Sequence, residues 1–229
     1  MDGNTDLATP YLLTVRGTLV PKSIDEARTL HNATAGSAEG MAAARALSDV
    51  SHTVYVPARG AEMLSGAKPG ELLFLDHWLD PAGLQQFFAH KDVQAQAGKL
   101  FSSRDGSLWM SARGSFGFHA YPTAGKPPRF VGLLRAPVTS PEKAIAAFAG
   151  LVSKNLRTAR TRGQLSHELF VRMGAPGEPV EILGVDTWAT IEGLSTHYAD
   201  PAAMSGLDGA FAGAPTASVW EQATGFNEW

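Results

Sequence analysis

The sequence predicts an α+β fold made of two βαββαβ units packed sheet to sheet, and three observations predict it. The chain matches itself at a constant offset. Between residues 71–101 and 181–211, Glu71, Leu73, Asp76, Trp78, Gly83, Leu84, Ala89 and Phe101 recur as Glu181, Leu183, Asp186, Trp188, Gly193, Leu194, Ala199 and Phe211. That is eight identities in thirty-one positions, where unrelated segments share roughly two. After one inserted residue, Ser107, Trp109, Ala112 and Gly114 answer to Ser218, Trp220, Ala223 and Gly225. Secondly, strand-like and helix-like patterns follow in the same order in both halves. Thirdly, residues 72–75 and 182–185 are apolar without alternation, so both faces of those strands must be covered. Two sheets that face each other meet that demand.

The elements follow in order. A β-branched, apolar run at 11–20 reads as the first strand, with 130–138 as its counterpart; each contains an arginine, Arg16 and Arg135. One long helix is predicted over 23–48, where Ser23 followed by Glu26 forms a capping box. Its counterpart is 141–162, with Ser140 as cap and Pro141 in the first turn. Second strands fall at 51–57 and 166–172, opened by Ser51-His52 and Ser166-His167, and third strands at 71–79 and 181–189. A helical stretch from 80 to 101 is interrupted near His90, and its counterpart, 190–212, is broken at Asp200-Pro201. Strands at 107–113 and 218–224 close the units. The order is the split βαβ arrangement of a ferredoxin-like unit. The predicted boundaries are 10–115 for the first unit, 116–128 for a linker containing TAGKPP, and 129–229 for the second.

Composition excludes several functions. Net charge is −3 with no basic run, so neither nucleic acid nor an anionic membrane is an expected partner. The absence of cysteine removes disulfides, thiolate metal sites and a thiol nucleophile. The short polar N-terminus lacks the apolar core of a signal peptide, and no stretch is long enough to span a bilayer. The expectation is a cytoplasmic protein, with a homo-oligomer left open. No phosphate loop, HExxH or nucleophile elbow is present.

The pattern of a third strand ending in an acidic residue and Trp, then a helix broken midway, runs here from Asp76-His77-Trp78 to Phe88-Ala89-His90. It resembles the dimeric α/β-barrel superfamily, in particular its antibiotic-biosynthesis-monooxygenase-like branch. The second half departs from it, with Asp200 in place of His90. The resemblance implies a tandem duplication that forms an intramolecular dimeric α/β barrel, with a pocket between sheet and helices in each unit. It further implies a place among cofactor-free oxygenases of aromatic polyketides, haem-degrading proteins, lactone isomerases and proteins with no known reaction. The histidine of the haem-degrading members would fall near Ala95 or Gln96, not at His90, which argues against haem; with no ligand set or nucleotide loop in the sequence, no haem, flavin or metal is expected.

Among seven histidines, only His52 and His167 take equivalent places in the two halves. Imidazole can accept a proton near neutral pH, as carbanion formation requires; a structural hydrogen bond is the competing reading. Asp76 and Asp186 sit in apolar runs and need partners, either Arg16 and Arg135 on the first strands or the histidines. Trp78 and Trp188 share a face with those aspartates, as core or as a wall for an aromatic substrate. Trp109 and Trp220 are assigned to core. The loop 57–70 is a lid over the first pocket or a plain insertion.

Hairpin register sharpens this. The short connection before Glu181 pairs it with Arg172 and so sets His167 opposite Asp186; by alignment, His52 faces Asp76. The expected catalytic residues are thus His52, His167, Asp76 and Asp186, with Trp78 and Trp188 binding a small aromatic or enolisable substrate. The resemblance implies a cofactor-independent monooxygenase of aromatic or polyketide-like compounds, or an isomerase, working through base-assisted carbanion formation. The alternative is a non-catalytic ligand-binding or stress-related barrel.

Overall fold

The computed structural model describes residues 10–115, 117–119, 129–203, 205–207 and 209–229. Most of the predicted linker, 116–128, lies outside the described residues. The first half contains β1 (Tyr11–Leu19), α1 (Ile24–Asn32), α2 (Ala38–Ala46), β2 (Asp49–Pro57), β3 (Glu71–Trp78), α3 (Pro81–Ala89), α4 (Lys91–Leu100) and β4 (Phe101–Ser111). A two-residue strand, β5 (Phe118–His119), precedes the second half. There follow β6 (Phe130–Pro137), α5 (Pro141–Thr161), β7 (Gln164–Arg172), β8 (Glu181–Trp188), α6 (Ile191–Tyr198) and β9 (Thr216–Gln222).

The strands run in the order β4-β1-β3-β2-β9-β6-β8-β7, and β4 pairs with β7 to close an antiparallel barrel of eight strands. Each half therefore has the same internal order, and the β2–β9 and β4–β7 ladders join the halves edge to edge. The closing ladders are short, three residue pairs each, so they shorten rather than remove the edges of β2 and β4. Successive residues of β3 point to opposite faces. Leu73 and Leu75 enter a barrel core that also holds Trp109, Phe170 and Trp220, while Leu72, Phe74 and Trp78 pack under the helices. This is why the third strands are apolar on both sides. Among the described residues, no helix is long and apolar enough to cross a membrane.

The two predicted caps are present: Ser23 accepts from the Glu26 amide and Ser140 from that of Lys143. Asp80 caps α3 as well, accepting from Ala82 and Gly83. The single helix predicted over 23–48 is instead two. Thr34 Oγ1 donates to the Leu30 carbonyl, and Ser37 recaps the chain by accepting from Gly40 N–H. Gly36 is required at this turn, because a Cβ there would lie 2.7 Å from the His31 ring. In the second half, helix stops at Tyr198 and, among the described residues, only a short 3-10 turn, Pro201–Ala203, follows, so the stretch predicted to reach 212 ends early. The last strand of the first half starts at Phe101, well before the predicted 107.

The ion-pair reading of the aspartates is corrected. Arg16 pairs with Glu71, and Arg135 with Glu181 and Asp105. Arg16 stands opposite Leu73 in the ladder, on the barrel-core side, whereas Asp76 is opposite Leu13 on the helix side. Alternation keeps them apart. The two guanidinium groups instead lie over Trp220 and Trp109, 5.4 Å from each ring centroid, so these tryptophans are core residues capped by cations.

Candidate functional site

The predicted hairpin register is present in both halves: His52 faces Asp76 and His167 faces Asp186. His52 Nδ1 lies 2.7 Å from Asp76 Oδ1, and His167 Nδ1 lies 2.6 Å from Asp186 Oδ1. Beyond this shared pair the halves differ.

In the first half the pair opens onto a cavity of about 750 Å³ between the sheet and helices α1 to α4. Its walls are largely apolar, with Leu13, Phe74, Trp78, Phe88 and Phe101 among them, and Asp49, His52 and Asp76 form a polar patch. The space exists because the chain breaks between α1 and α2 and presents small residues there, Ala33, Ala35, Gly40, Ala43 and Ala44. The second half has one unbroken helix, α5, whose Phe148, Leu151, Val152 and Leu156 reduce the equivalent space to about 40 Å³.

Tyr198 completes that filling: its hydroxyl donates to Asp186 Oδ2 and its ring lies against Gly132. The repeat offset places Phe88 where Tyr198 stands. The rings match in position, Phe88 lying 6.3 Å from Trp78 and Tyr198 lying 6.0 Å from Trp188. Phe88 lacks the hydroxyl, and Asp76 Oδ2 has no hydrogen-bond partner among the described residues. Trp78 lines the large cavity, whereas Trp188, fully buried against Leu194 and Tyr198, lines neither space. The expectation that Trp188 walls a substrate pocket is therefore corrected: α6 covers it.

A buried hydrogen-bond chain extends the first pair. His52 Nε2 lies 3.0 Å from His31 Nε2, and His31 Nδ1 lies 3.0 Å from Asn32 Oδ1. The proton positions follow from the end of this chain. Asn32 Nδ2 donates to the Gly225 carbonyl while its Oδ1 accepts from the Asn227 amide, so the amide orientation is fixed. Asn32 Oδ1 must then accept from His31 Nδ1–H, which leaves His31 Nε2 as an acceptor in the neutral ring. His52 donates from both nitrogens, to Asp76 and to His31, and is an imidazolium. Electrostatics agree. Burial, then the His52 charge, lower the His31 pKa to about 4 against the Asn32 bond. Burial also opposes charge on His52, but the Asp76 carboxylate outweighs it and raises that pKa; Glu228 adds to the effect, as does Asp49 whenever it is ionised.

Sequence reasoning missed three contributors. His31 lies on the buried face of α1, and its counterpart at the repeat offset of the helix caps is Phe148, which stacks on His167. Trp229 stacks on His52 with ring centroids 4.6 Å apart, while its backbone pairs with that of His52. Chain from the second half thus completes the site of the first. Asp49 also lines the cavity, and only the antiparallel pairing reveals it. A β-bulge at Val50 sets Asp49 opposite Trp78 and turns it to the face of His52 and Asp76.

The loop 57–70 is not a lid over this cavity. Ser65 and Gly66 bond to β9 at Val219 and Ala217, and Arg16 donates to the Gly66 carbonyl, so the loop is tied to the barrel strands. His90 is exposed beside Asp92. A histidine-ligated haem does not fit, because the cavity-lining histidines, His31 and His52, have both ring nitrogens engaged. Among the described residues there is no cluster of three or more His, Cys, Asp or Glu suited to a metal ion.

No protein-family model matches the chain, and no curated protein matches its sequence. Solved structures do match. An anthrone oxidase-like protein aligns with a TM-score of 0.65 at 13% identity, over 94% of this chain and 92% of that one. The likeness is one of fold. A candidate monooxygenase from Lactobacillus acidophilus aligns at TM-score 0.57 and 12% identity, over 94% and 93% of the two chains. A chlorite dismutase variant from Candidatus Nitrospira defluvii aligns at 0.56 and 12%, over 95% and 92%. These neighbours share the dimeric α+β barrel architecture, and monooxygenase-like proteins are among them.

Proposed function

We propose that this chain is a cofactor-independent oxidoreductase of the monooxygenase type that acts on an aromatic, enolisable ketone in the first-half cavity. The carrying observation is the contrast at Asp76 and Asp186. The second half satisfies Asp186 with the phenol of its own Tyr198, while the first half offers Asp76 Oδ2 to an apolar cavity of about 750 Å³. We read the halves as duplicated units of which only the first keeps an open site. The folds of the anthrone oxidase-like and monooxygenase neighbours agree with this reading without carrying it.

In this reading Asp76 is the base. His52 has no free nitrogen, so it positions the carboxylate and balances its charge rather than touching substrate. Asp76 takes the acidic C–H proton of the ketone, and the electron pair passes into the enolate. The enolate adds to molecular oxygen, the resulting peroxide anion takes up a proton to become a hydroperoxide, and this loses water to leave a second carbonyl. With anthrone as substrate, anthrone plus oxygen gives anthraquinone plus water. Trp78 and Phe88 would hold the flat ring system.

Oxygen uptake and quinone absorbance with anthrone test the proposal. Turnover well above the buffer rate, lost in Asp76→Asn and kept in Asp186→Asn, is the expected result. Equal rates with and without protein would overturn it.

A further inference from the structure

The polar patch of the cavity contains a second carboxyl group that the mechanism above does not use. Asp49 is 4% exposed, lines the cavity, and its Oδ1 is buried with no hydrogen-bond partner. A buried polar oxygen left without a partner is costly unless a ligand or a proton relieves it.

The second half supplies an internal comparison. The same bulge recurs there at Leu165 and sets Gln164 opposite Trp188, the place Asp49 holds opposite Trp78. Gln164 Nε2 donates to Asp186 Oδ1 at 2.9 Å. The second half thus places a hydrogen-bond donor at this position, aimed at its aspartate. A carboxyl group can donate from it only when it carries a proton.

We propose that Asp49 is the acid of this site: as a neutral carboxylic acid, it donates a hydrogen bond to the carbonyl oxygen of the ligand whose C–H proton Asp76 removes. This rests on the ketone reading of the cavity and adds the group that stabilises the oxygen of the enolate. The groups facing Asp49 are Asp76 on β3, His52 on β2 and Arg45 at the end of α2. Burial first, and then the Asp76 charge, raise the Asp49 pKa to about 7, against the His52 and Arg45 charges and the Ser51 amide. Two carboxyl groups held in different protonation states on one wall divide the acid and base roles.

The test separates this role from turnover. 9-Fluorenone is a flat ketone with no enolisable proton, and fluorene is the same ring system without the oxygen. Binding of each to the full chain is followed by quenching of tryptophan fluorescence from pH 5.5 to 8.5. At pH 5.5 fluorenone should bind roughly tenfold more tightly than fluorene, the worth of one hydrogen bond. That advantage should fade as the pH rises through about 7. Asp49→Asn keeps a donor without a titrating group, so its advantage should persist at every pH. Asp49→Leu should show none at any pH.

A wild-type advantage that does not vary with pH would overturn the proposal. So would one that survives in Asp49→Leu, which would assign the carbonyl to the unpartnered Trp78 Nε1–H instead. The ketone reading fails separately, if the protein shows no oxygen uptake while this binding pattern holds.

Discussion

Replacing Asp49 by Asn should change how stability depends on pH, by an amount the structure sets. The native state holds Asp49 at a pKa of about 7 against an ordinary value of 3.8. Between those values the folded protein binds the proton more tightly than the unfolded chain. Stability from this group is therefore fully present below pH 3.8 and lost progressively as the pH rises to about 7. A difference of roughly three pKa units corresponds to about 4 kcal/mol. Asn has nearly the same shape and no proton to lose. Asp49→Asn should thus match wild type near pH 4 and become more stable by up to about 4 kcal/mol at pH 8.

His31 works in the opposite direction. Its pKa of about 4 in the fold, against 6.5, makes stability rise with pH across that interval. Both proteins contain His31, so its effect cancels in the difference. The assay is urea denaturation of the two proteins at half-unit steps from pH 4 to 8. A stability difference that stays flat across the range would show that Asp49 is already ionised in the fold, and the argument from its burial would fail.

Other substitutions probe the rest of the network. His31→Phe, which copies Phe148, removes the acceptor for His52 Nε2–H; it should cost about 1–3 kcal/mol in urea denaturation and shift the His52 titration seen by NMR to lower pH. Tyr198→Phe takes the donor from Asp186 Oδ2 and should destabilise by a similar 1–3 kcal/mol or so, without affecting ligand binding in the first half. Phe88→Tyr supplies Asp76 Oδ2 with an internal phenol; it should block binding of flat aromatic ligands while leaving the melting temperature unchanged or higher. Asp76→Asn should lower the rate of oxygen uptake by about a hundredfold or more, with the far-ultraviolet circular dichroism of the fold retained.

The sequence by itself determined the strand and helix order, the internal match and the pairing of His52 with Asp76. These are local or periodic properties. Alternation assigns strand faces, caps mark helix ends, and a short hairpin fixes which residue numbers stand opposite each other. Even so, some local signals were outweighed: Thr34, Gly36 and Ser37 broke a helix that its apolar pattern extended through.

Tertiary structure decided which half keeps a cavity, because that depends on volumes brought together from distant segments. Phe148, Leu151 and Tyr198 converge on one aspartate, and Ala33, Gly40 and Ala44 on a space beside the other. It also decided the proton positions. His52 is an imidazolium because Asn32, held by Gly225 and Asn227 from the far end of the chain, makes His31 an acceptor. No spacing in the sequence brings residues 32 and 227 together; closure of the barrel does, by carrying the end of the second half along β2 of the first.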